Sequence, residues 1–100
     1  MNRNELKTHI LSSIDKIAEE ITQNRTLNGD EGIRAICSQV QKLCEKHLGN
    51  EVYIEVTLSR AIGAYHNPVH FGVLPISLTI KQRTLCAVHY IKREIEKSFT

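Results

Sequence analysis

The sequence predicts an α+β fold in the order α-α-β-β-α, with an antiparallel β-hairpin packed against helices. Three observations predict it. Apolar residues recur at three- and four-residue spacings through the first half of the chain. From Val52 the period drops to two, with Val52, Ile54, Val56 and Leu58 alternating with polar residues. Beyond Thr84 the helical spacing returns.

The first helix is expected over residues 5–23, capped by Asn4. Leu6, Ile10, Leu11, Ile14, Ile17, Ala18 and Ile21 fall on one broad face at about 100° per residue. Residues 23–29 read as a connecting loop that ends on the turn signal Asn28-Gly29. Asp30 is the expected cap of a second helix that runs to about Leu48. Ile33, Ile36, Cys37, Val40, Leu43, Cys44 and Leu48 are its apolar stripe, and Gly49 stands where a left-handed C-cap residue is expected.

Val52–Leu58 then reads as a half-buried strand. A second strand is expected from near Gly72 to Lys81, with Leu74, Ile76, Leu78 and Ile80 on one face. Pro75 inside it predicts an edge position or a bulge. The last helix is expected from Thr84 to Phe99, with Leu85, Val88, Ile91, Ile95 and Phe99 on its apolar face. Ile14, Ile17, Val40, Leu43, Val56, Leu78, Val88 and Ile95 are the expected core.

The chain has 100 residues, so residues 1–100 are expected to form one small domain. With 41% hydrophobic and 24% charged residues the composition is that of a globular protein rather than a disordered one. A net charge of +2 is too small to announce nucleic acid or an acidic mimic of it. No apolar run reaches membrane-spanning length, and no secretory leader pattern follows Met1, so a cytoplasmic protein is expected. Three cysteines, an odd number, argue against a disulfide scaffold. Cys37 and Cys44 are expected to be buried and inert, with Cys86 as the accessible thiol.

Candidate functional residues lie in two places. Residues 60–71 form a long loop between the expected strands, and loops on a rigid scaffold concentrate function. Arg60, Tyr65, His66, Asn67 and His70 are its candidate binding residues. His89, Arg93 and Lys97, on the outer face of the last helix beside Tyr90, are the others. His66, His70, Cys86 and His89 are chemically acceptable zinc ligands, although their spacing matches no zinc pattern. Cys86 and His89, one turn apart, are the best pair for nucleophilic chemistry. No catalytic residue and no cofactor is assigned.

Gly29-Asp30-Glu31-Gly32 lies between two expected helices and precedes two expected strands and a helix. That order resembles the KH RNA-binding domain without its first strand, over residues 15–99. The middle residues depart from that family, where they are basic or small beside the phosphates. Asp30 and Glu31 would repel phosphate, so the resemblance assigns neither family nor RNA binding.

The expected function is that of a small interaction module, of inhibitor, immunity or adaptor type, which forms a homodimer. The unguarded edge of the strand from Val52 to Leu58 is the expected seam. Nucleic-acid binding by the basic last helix is the alternative, and a small-ligand or metal site at His66 and His70 is a further one.

Overall fold

Asn2 starts the first helix, two residues before the expected cap. In the computed structural model, which describes residues 2–24, 29–49, 51–67 and 79–99, Asn2 Oδ1 accepts the Glu5 backbone N–H at 2.8 Å. Asn2 Nδ2 in turn donates to Glu5 Oε1 at 3.1 Å. The pair satisfies an N–H that the first turn leaves without a partner. Helix α1 spans Arg3–Gln23 and buries Ile10, Ile14, Ala18 and Ile21. Helix α2 spans Gly29–Leu48 and buries Ile33, Ile36, Cys37, Val40 and Cys44 along the expected stripe. Gly49 follows it at φ +78, the left-handed conformation expected there. Gly29 and Asp30, expected as the end of the loop and the cap of α2, instead lie within its first turn.

The expected β-hairpin is overturned. Helix α3 spans Val52–His66, so the first strand and half of the long loop are one helix. No strand occurs among the described residues. Four alternating positions had suggested period two, but Ile54, Leu58, Ala61 and Tyr65 make a helical stripe at spacings of four, three and four. All four are buried, while Val56, which the strand would bury, is 45% exposed. Pro68 sets the stop, because the residue before a proline is pushed out of the helical region. Asn67, the C-cap, has φ −140 and ψ 68.

Helix α4 spans Ile80–Lys97 and begins one turn before the expected cap. Thr79 caps it with Gln82 in a reciprocal box, Gln82 N–H to Thr79 Oγ1 at 3.1 Å and Thr79 N–H to Gln82 Oε1 at 2.9 Å. Thr84 is thus interior, its hydroxyl donating to the Ile80 carbonyl at 2.9 Å. The buried face is Thr84, Ala87, Val88, Tyr90, Ile91 and Ile95. Leu85, expected on that face, is 54% exposed. Lys81, expected at the end of the second strand, is in the first turn of α4; the rest of that strand lies outside the described residues.

Contacts along the helices set their directions. Asp30 and Cys37 of α2 meet His66 and Leu58 of α3. Arg3 and Asp15 of α1 meet Ser98 and Lys92 at the far and middle parts of the last segment. Arg83, near the start of α4, meets the end of α3, and His9 near the start of α1 meets His47 near the end of α2. Neighbours therefore run antiparallel, and the described residues form an up-and-down four-helix bundle. Ile10, Ile14, Ile33, Ile36, Val40, Ile91 and Ile95 are its fully buried centre, each stabilising the fold by roughly 1.5–3 kcal/mol of burial. Of the expected core, Ile14, Val40, Val88 and Ile95 are buried and Ile17 and Leu43 partly so, whereas Leu78 lies outside the described residues. The expected edge-to-edge dimer has no strand at Val52–Leu58 from which to form.

Candidate functional site

Up-and-down topology brings four helix ends together: the last turn of α1, the first turns of α2 and α4, and the last turn of α3. The polar side chains there tie helices to one another. Asp30 is the hub. Its Oδ2 accepts from Arg34 Nε at 2.7 Å, and its Oδ1 lies 2.7 Å from His66 Nε2. The hydrogen bond from Arg34, and after it that from His66, holds the Asp30 carboxyl below its ordinary 3.8. Arg83 reaches across from α4 and donates through Nη1 to the carbonyls of Tyr65 and His66, at 3.3 and 3.2 Å. Those carbonyls belong to the last turn of α3, where a cation also opposes the negative end of the helix dipole. Tyr65 is buried, with its ring edge-on to His66.

Beside this network is a cavity of about 750 Å³ between α1, α2 and α4. Ile21, Ile80 and Leu85 supply its apolar lining, and Glu19, Lys81 and Thr84 are among its polar lining. Gly29 and Gly32 form part of its wall. Gly29 has φ +63, and a Cβ there would lie 3.3 Å from Tyr65 Oη, so both conformation and space favour glycine. Ile80 and Leu85 are each 54% exposed. That is far more than the core apolar residues of the same helix.

The structure does not gather the eight candidate binding residues into one site. Tyr65, His66 and Asn67 lie together at this end, Tyr65 as a packing residue and Asn67 as a helix cap. Arg60 is exposed on α3. His89, Arg93 and Lys97 recur at one-turn spacing on α4 and lead away to the opposite end, where Ser98 meets Arg3. Arg93 stacks on Tyr90 at 6.0 Å, and Lys97 pairs with Glu94 at 3.1 Å. His70 lies outside the described residues. Among the described residues, no three His, Cys, Asp or Glu side chains come close enough to share a metal ion. His66, Cys86 and His89 therefore make no such group.

Cys37 and Cys44 are buried and unpaired to each other, and Cys86 is partly exposed, as the stripe predicted. Burial pushes the Cys37 and Cys44 thiols up to about 11. Asp30, Arg34 and Arg83 were missed as site residues. The i,i+4 spacing of Asp30 and Arg34 was the one available signal; the reach of Arg83 to another helix left none. Among the described residues, no helix is long and apolar enough to cross a membrane. Compared with known proteins, the chain matches no protein-family model, no curated protein and no solved structure.

Proposed function

We propose that this chain is an interaction module rather than an enzyme, and that it docks a partner macromolecule at the cavity end of the bundle. One observation carries the reading: Ile80 and Leu85, each 54% exposed, stand beside a cavity of about 750 Å³ lined also by Ile21. Exposed apolar side chains next to an apolar recess are what a partner's side chain fills, and clustered apolar exposure marks binding surfaces. The polar groups nearby support the same reading, because Asp30, Arg34, His66 and Arg83 are engaged in holding helix ends. That network joins α2 to α3 and α3 to α4 beside the recess.

A second copy of the chain is the first partner to test. Light scattering over a rising concentration series reads self-association, and affinity capture from the native host reads other partners. Leu85→Glu and Ile80→Asp alter exposed side chains, so both variants should keep the helical circular dichroism and the melting temperature of the wild type. Both should lose the partner. A partner that both variants hold as tightly as the wild type removes this end of the bundle as the docking surface.

Nucleic-acid binding through α4 is the second reading, supported by the exposed Arg93 stacked on Tyr90. Acidic residues of the same helix weigh against it, since Glu94 pairs with Lys97 and Glu96 with Lys7. Retention on immobilised DNA at low salt, lost in Arg93→Ala, would favour it.

A further inference from the structure

We propose that the partner docked at the cavity end is a second copy of the chain, related by a two-fold axis that sets Glu19 of each copy against Lys81 of the other. The proposal rests on the docking reading above, and adds to it the identity of the partner and the register of the contact. The α1 side of the recess is lined by Glu19 and Ile21, and the α4 side by Ile80, Lys81 and Leu85. Ile21 is only 4% exposed, whereas Ile80 and Leu85 stand out at 54% each. Gly32 of α2, which brings no side chain, is buried in the same wall. Projecting apolar side chains and the hollow that can receive them thus lie side by side on one patch. That is the arrangement an isologous interface requires, because each copy must supply both halves of the contact.

The charges follow the same division. Glu19 is exposed on α1 and Lys81 is exposed on α4. They do not pair with each other, and neither has an ion-pair partner among the described residues. The carboxylate of Glu19 accepts only from the neutral amide of Gln23 on its own helix, at 3.3 Å, which leaves its charge uncompensated. Any occupant of this recess that matches it must bring an apolar side chain, a base for Glu19 and an acid for Lys81. A second copy brings all three. Two-fold symmetry forms the Glu19–Lys81 contact twice, so one register answers both charges of each copy.

The test is sedimentation equilibrium of the full chain over a concentration series at low salt. The wild type should dimerise, and sodium chloride should raise the dimer Kd by screening the crossed charges. Glu19→Lys and Lys81→Glu each place like charges at both symmetric contacts, so each should raise Kd by about tenfold or more. Both residues are exposed, so both variants should keep the wild-type helical circular dichroism. An equimolar mixture of the two variants should dimerise again, because every crossed contact in the mixed dimer joins a lysine to a glutamate. A wild type that stays monomeric throughout the series overturns the second copy as the occupant; the docking reading then stands on a captured partner that Leu85→Glu releases. A dimer that Leu85→Glu leaves intact overturns the proposal and the docking surface together. A dimer that Leu85→Glu breaks, but that the mixed charge variants fail to rebuild, overturns the crossed register and keeps the surface.

Discussion

His66 Nε2 lies 2.7 Å from Asp30 Oδ1, and this contact joins the last turn of α3 to the first turn of α2. The other carboxylate oxygen of Asp30 is held by Arg34 at 2.7 Å. Both bonds favour the charged carboxylate, as does its place in the first turn of a helix. The carboxyl is therefore held below its ordinary 3.8. A carboxyl depressed in the folded state adds stability above its unfolded value, and that stability is lost as pH falls through the folded value. Asp30→Asn should lower the urea midpoint at pH 7 and converge on the wild type below about pH 3. The group is solvent-exposed, so the effect should be small and weakened by salt. A difference that stays constant down to pH 2 would show that the carboxylate charge is not what matters.

The core divides cleanly by helix face. Ile14→Ala and Ile91→Ala each empty a fully buried position and should cost about 2–5 kcal/mol in urea unfolding. Val56→Ala should be neutral or slightly stabilising, because Val56 is 45% exposed and alanine is the better helix former. A large loss at Val56 would restore the strand register.

Gly29 should resist substitution. Its φ of +63 disfavours any side chain, and a new Cβ would approach Tyr65 Oη to 3.3 Å. Gly29→Ala should therefore destabilise by about 1–2 kcal/mol. Adding Tyr65→Phe removes the crowding oxygen but not the backbone strain, so it should recover only part of the loss. Full recovery in the double variant would place the cost in the contact alone.

The three thiols should react in a set order. In the native protein at pH 8, a thiol reagent should label Cys86 fast and leave Cys37 and Cys44 intact until unfolding. Cys37 and Cys44 should also make stability fall in alkali. Their thiols are raised from an ordinary 9.0 to about 11 by burial. Their contribution is complete below pH 9 and is lost as pH rises towards 11, because the unfolded chain ionises first. Cys37→Ser with Cys44→Ser should flatten that alkaline decline in a urea-midpoint profile; an unchanged decline would assign it to other groups.

The sequence by itself determined α1 and α2. Their apolar stripes run for several turns, and Gly49 stops α2 because a left-handed residue needs no Cβ. It also determined the burial of Cys37 and Cys44, which lie on the α2 stripe. It did not determine α3. Val52 to Leu58 alternates for only seven residues, and β-branched side chains there satisfy a strand as well as a helix. The stripe Ile54, Leu58, Ala61, Tyr65 was present but ran into residues that resembled a loop. Tertiary structure decided between the two, since α3 as a helix buries that stripe in the bundle. The site was less legible still. Asp30, His66 and Arg83 stand far apart in sequence, and only antiparallel packing brings their helix ends to one place. Side-chain contacts across a bundle depend on the rotation of each helix about its axis, and Leu85, exposed where a core residue was expected, shows that neighbouring helices set it.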